Sequence, residues 1–196
     1  MSSSLSETKL NILESAARLL LENKGEGVRM EDIAAAAGVS RQAVYLHFPS
    51  RAELMIAAVR YLDSFYGLDE EVRRFREAQT GPEILDAFVE FWGNYVPKIY
   101  GVAKALMALR GKDEAAEAAW KDRMDSVRNG CRRTIETIEH EGLLSHQWTL
   151  DEAVDLMWTI LSIESWERLT IERSWTTEEY VVRVNTALRQ ILLVPN

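Results

Sequence analysis

Helical spacing of apolar residues runs through almost the whole chain, and this spacing restricts the fold more than any other feature. The 196 residues include only 4 Pro and 10 Gly, so long helices have few interruptions. The 3.6-residue pattern is clear over residues 6–23, where Ser6 suits an N-cap and Lys24-Gly25 a stop. No alternation with period two persists long enough to indicate a strand. The sequence therefore predicts an all-α fold of about nine helices.

Caps and breakers give the predicted helix boundaries. Helices are expected over residues 6–23, 31–37, 41–47, 51–78, 82–96, 98–110, 112–141, 149–172 and 176–193. Pro97, Gly111 and Gly142 are expected to be joints. Ser50 is expected to cap the fourth helix, and Glu53 to complete a capping box.

Composition excludes several classes of protein. A single cysteine, Cys131, excludes a disulfide framework and a zinc site built mainly from thiolates. The first ten residues lack the apolar stretch of a secretory signal, and the longest apolar run, residues 33–39, is far shorter than a membrane span. We therefore expect a cytoplasmic protein with no membrane partner, no metal and no cofactor.

The stretch from Met30 to Phe48 has the pattern of a helix-turn-helix. Small residues, Ala34 to Ala37, allow two short helices to cross closely, and Gly38 suits a left-handed turn. Ser40 is a good N-cap for the second helix. In such a motif, the second helix enters the major groove of DNA with its N-terminal residues leading.

Residue types at the start of that second helix suit contacts with DNA. Arg41 can bond guanine with two N–H groups, Gln42 can bond adenine, and Ala43 can touch a thymine methyl. Phosphate contacts are predicted for Ser40, Tyr45, His47 and Arg51. The alternative interpretation is a tight helical corner in a core, with Tyr45 and Phe48 as packing residues.

Residues 6–60 resemble the N-terminal DNA-binding domain of the TetR/AcrR family of one-component transcriptional regulators. The matching positions are Ile33-Ala34, Gly38-Val39-Ser40, Tyr45-Leu46-His47-Phe48 and Arg51. The family often has Thr or Ser where Arg29 and Met30 stand, so we expect Arg29 to make that phosphate contact by charge. The resemblance implies a DNA-binding domain over residues 1–50, the start of a linking helix over 51–78, and a ligand-binding and dimerisation domain over 79–196.

The net charge of -8 is unevenly distributed along the chain. Residues 1–60 contain seven basic and seven acidic side chains, so residues 61–196 carry the whole acidic excess. A neutral DNA-binding domain predicts modest non-specific affinity and a salt dependence limited to a few phosphates per subunit.

Aromatic residues are concentrated in the second domain, where all six Trp lie beyond residue 90. Aromatic and Met side chains can line an apolar cavity between helices. Since the second domain of the family binds small molecules, the resemblance implies a ligand site. The candidate residues are Trp92, Tyr95, Trp120, Met124, Trp158 and Trp166. A solid core is the alternative for each of them, and Glu90 and Glu164 either face a cationic ligand or lie on the surface.

Two wide apolar stripes near the C-terminus predict a surface for a second copy of the chain. The resemblance implies a two-fold, four-helix interface between subunits. The candidate residues are Val154, Met157, Leu161, Tyr180, Val184, Leu188 and Ile191. A dimer would address two half-sites about one helical turn of DNA apart, roughly 34 to 36 Å.

These features predict a repressor that binds a palindromic operator as a homodimer and is released by a small, largely apolar or aromatic effector. An enzyme is not expected, because the sequence has no HExxH, GxSxG, P-loop or dinucleotide-binding motif. The alternatives are a helical interaction protein and an activator without a small-molecule effector.

Overall fold

The computed structural model describes residues 6–68, 72 and 78–194. Nine α-helices and one π-helical turn lie within these residues, whose β structure consists of an isolated bridge between Leu144 and Leu193. In chain order they are α1 (Glu7–Glu22), α2 (Met30–Ala36), α3 (Arg41–His47), α4 (Arg51–Phe65), α5 (Gly81–Met107), α6 (Glu114–His140), α7 (Leu150–Ile160), α8 (Ile163–Glu167), the π turn (Arg168–Glu172) and α9 (Thr177–Leu192). The prediction of an all-α fold is confirmed.

Contacts divide the chain into two compact units. Unit 1 comprises Met1–Leu68 and Lys98–Asp122, and unit 2 comprises Asp69–Pro97 and Arg123–Asn196. Helices α5 and α6 each contribute one segment to each unit. The functional boundaries expected at residues 50 and 78 stay a prediction, because a grouping of contacts does not locate functions.

The expected joint at Pro97 is wrong, because Pro97 lies inside the continuous helix α5. Proline in a helix interior removes one backbone hydrogen bond and costs about 3 kcal/mol. The neighbouring Val96 and Ile99 have no exposed surface, and their burial offsets much of that cost. The low helix propensity of proline predicted a break at Pro97, but the burial of its neighbours stabilises a continuous helix.

Two other predicted helices are shorter than expected. The helix predicted over residues 149–172 is interrupted at Ser162, whose hydroxyl accepts a hydrogen bond from the Ser165 N–H at 3.1 Å and caps α8. The helix predicted to continue to residue 78 ends at Phe65, before Gly67 with φ of +64°. Most of the remaining predicted stretch lies outside the described residues.

Within unit 1, α1 is the support for the helix-turn-helix, because it packs against both α2 and α4. Its Ile12 and Leu20 have no exposed surface. The Asn11 side-chain amide donates to the Ala37 carbonyl at 2.8 Å, which ties α1 to the end of α2. Helix α5 approaches closely, since a Cβ added at Gly101 would lie 2.1 Å from the Leu20 carbonyl oxygen.

Within unit 2, α5 and α9 are joined by polar and apolar contacts. The Arg189 guanidinium donates to both carboxylate oxygens of Asp86, at 2.8 and 2.9 Å. A Cβ added at Gly93 would lie 2.5 Å from Val181 Cγ2, so the two helices approach each other closely there. A hydrogen bond also holds the C-terminal end of α9, because the Trp148 indole N–H donates to the Ile191 carbonyl at 2.8 Å.

No helix in the described part of the chain is both long enough and apolar enough to cross a membrane.

Candidate nucleic-acid interface

The turn between α2 and α3 is fixed by backbone hydrogen bonds. The Gly38 N–H donates to the Ala35 carbonyl at 3.2 Å, and the Val39 N–H donates to the Ala34 carbonyl at 3.0 Å. This pairing is a Schellman motif, which places Gly38 at φ of +67°, a conformation that favours glycine. The Ser40 hydroxyl then accepts from the Ala43 N–H at 3.1 Å and starts α3.

Helix α3 has an inward apolar face and an outward polar face. Val44 and Phe48, one turn apart, are 0% and 2% exposed, so they anchor the helix in unit 1. Arg41, Gln42 and Tyr45 are exposed. Phe48 is therefore a packing residue, as in the alternative interpretation, whereas Tyr45 is available at the surface.

The structure places all eight predicted DNA-contact residues in or beside the helix-turn-helix of unit 1. They are Arg29 before α2, Ser40 before α3, Arg41, Gln42, Ala43, Tyr45 and His47 in α3, and Arg51 at the start of α4. Ala43, His47 and Arg51 are half-buried, and the other five are exposed. Their contact with DNA stays a prediction.

The Asp32 carboxylate accepts hydrogen bonds from both the backbone and the side chain of Arg29 at the start of α2. The Arg29 backbone N–H donates to Asp32 Oδ2 at 2.8 Å, and the guanidinium donates to both Asp32 carboxylate oxygens at 3.3 Å. These hydrogen bonds raise the pKa of Arg29 and lower the pKa of Asp32. The Asp32 carboxylate therefore stays charged to lower pH than an isolated aspartate.

Glu31 links the two arginines that the sequence predicts to touch DNA. Its Oε1 lies 3.2 Å from Arg29 Nη1, and its Oε2 lies 3.9 Å from Arg41 Nη1. Arg41 also extends over the Tyr45 ring, with Cζ 5.6 Å from the ring centroid. Contact with Tyr45, followed by the charge of Glu31, raises the pKa of Arg41. Spacing along the sequence gives no signal for the Glu31–Arg41 pair, because the two residues lie on different helices.

The predicted ligand-binding residues are divided between the two units. Trp120 lies in unit 1, where Arg110 Cζ is 5.6 Å from its ring centroid. The other five lie in unit 2, and they are Trp92 and Tyr95 on α5, Met124 on α6, Trp158 on α7 and Trp166 on α8. Trp92, Tyr95, Trp120 and Trp166 are buried, whereas Met124 and Trp158 are half-buried. The alternative candidates Glu90 and Glu164 are exposed.

Most residues predicted for the dimer interface lie inside unit 2 of the single chain. Val154, Met157, Leu161, Tyr180, Val184 and Leu188 are buried, and Ile191 is half-buried. Burial in the unit's own core explains this placement, because a helix turns its most apolar stripe towards its own neighbours. The outward face of α9 instead carries Val182, Thr186 and Gln190, which are exposed.

The described residues offer little that would suit a metal site or a reactive thiol. They contain no cluster of three or more His, Cys, Asp or Glu side chains placed to hold a metal ion. Cys131 is buried on α6, and burial raises the pKa of its thiol to about 12, so the thiol stays protonated at neutral pH.

An all-α chain that presents the polar N-terminal face of the second helix of a helix-turn-helix belongs to the helix-turn-helix class of DNA-binding transcriptional regulators. Residues 12–58 match the sequence model of the family described as bacterial regulatory proteins, tetR family. Residues 12–58 therefore form a DNA-binding domain of the TetR family, and the rest of the chain is similar to regulators of that description.

One relative and one protein of similar fold are described as transcriptional regulators. The HTH-type transcriptional regulator CymR of Pseudomonas putida is 28% identical over 186 residues, which cover 88% of this chain and 82% of that protein. A solved structure of a protein from Saccharomonospora viridis, described as a transcriptional regulator in complex with choline, has a TM-score of 0.81 at 21% identity and covers 97% of this chain and 100% of its own.

The fold is shared more widely still. The transcriptional regulator FadR from Bacillus subtilis, solved in complex with stearoyl-CoA, has a TM-score of 0.73 at 14% identity, covering 93% of this chain and 98% of its own. At such identities, the two solved structures show a common fold.

Proposed function

We propose that the protein is a repressor that binds a palindromic operator as a homodimer and is released by a small effector. The observation that carries the DNA-binding part is the outward face of α3, where Arg41, Gln42 and Tyr45 are exposed above the buried Val44. Arg41 and Gln42 supply base contacts, with Ala43 against a thymine methyl. The remaining contacts, to phosphates, are assigned to Arg29, Ser40, Tyr45, His47 and Arg51.

Selection from a random duplex pool tests the operator and the dimer together. Full-length protein is expected to enrich a palindrome whose half-sites are about one helical turn apart, because each short recognition helix reads few bases. Enrichment of a single half-site would remove the dimer from the proposal, and recovery of no sequence preference would remove operator binding. Repression then requires that the selected operator, placed beside a reporter promoter, lowers reporter output when the protein is present.

A homodimer is supported by the outward face of α9. Val182 is 57% exposed there, and Arg183, Thr186 and Gln190 are exposed on the same helix. Covering such a side chain with a second copy would remove apolar surface from water. We assign the subunit contact to this face, because the inward stripe of α9 is already used within unit 2.

Effector binding is supported by two buried polar atoms in unit 2. Trp92 Nε1 and the Tyr180 hydroxyl make no hydrogen bond of acceptable geometry within the described part of the chain. Burial raises the pKa of Tyr180, and the nearby indole N–H of Trp92 partly opposes that rise, so the two groups are close together. Buried polar groups need hydrogen-bond partners.

An effector with an acceptor oxygen on an apolar or aromatic body fits these two donors. The ligands of the structural neighbours, choline and stearoyl-CoA, support a small-molecule effector in general. The effector would favour a state whose recognition helices no longer match the half-sites, and its effect is limited by its difference in affinity for the two states.

The proposed location is the cytoplasm, where the operator DNA of a bacterial regulator is accessible. The relatives described above are regulators and not enzymes.

A further inference from the structure

We propose that Glu31 competes with DNA for the Arg41 side chain and so weakens binding until a duplex displaces it. The inference rests on the proposed DNA-binding function. The two carboxylate oxygens of Glu31 face different guanidinium groups, at 3.2 Å from Arg29 and 3.9 Å from Arg41. A carboxylate offers an arginine the same negative charge and acceptor oxygens as a phosphate does. Glu31 therefore gives both arginines a carboxylate partner in the free protein, and a bound duplex has to replace it at Arg41.

Charge balance at this surface makes the competition matter. Arg29 and Arg41 are matched by Glu31 and Asp32, so the four side chains together carry no net charge. Arg41 and Glu31 are 61% and 45% exposed, which leaves both groups accessible to an approaching duplex. DNA must either separate Arg41 from Glu31 or bring its phosphates near the Glu31 carboxylate. Each course reduces the net gain from binding.

Arg41 is the side chain that exchanges most readily. Arg29 is held by Asp32 through its backbone N–H at 2.8 Å and through two guanidinium bonds at 3.3 Å. The Arg41 pair with Glu31, at 3.9 Å, is longer than a hydrogen bond. Removing the Glu31 charge should therefore leave Arg41 with no carboxylate partner there, while its contact with Tyr45 and the Arg29–Asp32 cap stay intact.

The test compares Glu31→Gln with a matched control, Glu22→Gln, in the full-length protein. Glu22 pairs with Arg18 at 3.7 Å, with side chains that are 56% and 55% exposed, and neither residue is among the predicted DNA contacts. Both variants lose one negative charge from an exposed ion pair. Fluorescence anisotropy with a mixed-sequence duplex and with the selected operator, over a range of salt concentrations, gives the dissociation constants.

Glu31→Gln is expected to bind DNA about two- to fivefold more tightly per subunit, the range that an exposed ion pair supports. Glu22→Gln should match the wild type within about twofold, because its charge is screened from the duplex. In an Arg41→Gln background, the gain from Glu31→Gln should be clearly smaller, because only the effects of Glu31 on Arg29 and on nearby phosphates remain. Circular dichroism melting of each variant checks that all remain folded.

The outcomes separate the two proposals. If the wild type binds DNA and Glu31→Gln gains no more than Glu22→Gln, the role of Glu31 is refuted while the DNA-binding function stands. A gain of undiminished size in the Arg41→Gln background, or weaker binding by Glu31→Gln, also refutes it. If neither the wild type nor any variant binds either duplex at low salt, the DNA-binding function fails and this inference fails with it.

Discussion

At the scale of single residues, Arg41 and Arg51 have different predicted tasks, although both are arginines beside the same motif. Arg41 is exposed in the first turn of α3, where side chains reach bases, whereas Arg51 is half-buried at the start of α4 and is assigned to a phosphate. The two contacts differ in a measurable way, because only a base contact depends on sequence.

Arg41→Ala is expected to cost about 1–3 kcal/mol of operator binding and to relax the base preference at one position. Arg51→Ala should weaken all duplexes to a similar degree and reduce the salt slope by about one per subunit. Anisotropy titrations against the operator and single-base variants measure both effects. Arg60→Ala, which removes an exposed arginine of α4 outside the predicted set, is the control and should change little. Equal loss of specificity in the two variants would contradict the assignment.

Tyr180 offers a second test at the residue scale, because its buried hydroxyl makes no hydrogen bond of acceptable geometry among the described residues, although the Trp92 indole N–H is nearby. Tyr180→Phe keeps the fully buried ring and removes only that hydroxyl. The ligand-free variant should be as stable as the wild type, or more stable by up to about 1 kcal/mol, since no hydrogen bond of good geometry is lost.

Tyr180→Phe should also weaken the binding of acceptor-bearing compounds by roughly tenfold, equivalent to one hydrogen bond. Chemical denaturation measures the first effect. A screen of Trp fluorescence against small apolar and aromatic compounds, with and without an acceptor oxygen, measures the second. A clear loss of stability would show that the hydroxyl has a structural partner, and unchanged affinity for every compound that binds would remove it from the effector site.

At the scale of elements, the contact between α5 and α1 in unit 1 depends on one glycine. A Cβ at Gly101 would meet backbone atoms of Leu20, with the carbonyl oxygen at 2.1 Å and the carbonyl carbon at 2.7 Å. Backbone atoms cannot move aside as a side chain does. The small size of residue 101 therefore sets how closely α5 can approach the helix that supports the helix-turn-helix.

Gly101→Ala should destabilise the protein by about 1–3 kcal/mol or more, because overpacking outweighs the gain in helix propensity. Gly130→Ala is the matched control on α6, since its Cβ would meet the movable end of the Phe88 ring at 3.1 Å. Urea denaturation followed by circular dichroism gives the midpoints. Equal urea midpoints for the two variants would contradict the close approach of α5 to α1 at Gly101.

At the scale of the whole molecule, the main prediction concerns the homodimer that we propose forms through the outward face of α9. Val182→Asp on α9 should convert the dimer to a monomer, because it places a charge in the proposed contact. Ile171→Asp is the control, since Ile171 is 37% exposed in the π turn and outside the proposed contact. Sedimentation equilibrium measures the mass of each. Dimers of equal stability in both variants would move the interface away from this face of α9.

Sequence reasoning was most successful where the determinants are local. The cap at Ser40, the left-handed Gly38 and the N-cap at Ser6 follow from short-range hydrogen bonds and steric rules, and the structure has all three. Ser50 likewise accepts from the Glu53 N–H at 3.1 Å and caps α4. Such signals depend on residues within one turn of each other, so a linear pattern contains them.

The sequence by itself determined an all-α chain with an N-terminal helix-turn-helix, because helical period, caps and turns are properties of neighbouring residues. Only the tertiary structure decided that Pro97 lies within a helix, that the apolar stripe containing Tyr180 and Val184 faces the core, and that Glu31 reaches Arg41. These features depend on packing and charge contacts between separate elements. Their free energies arise from residues distant in sequence, which local spacing does not specify.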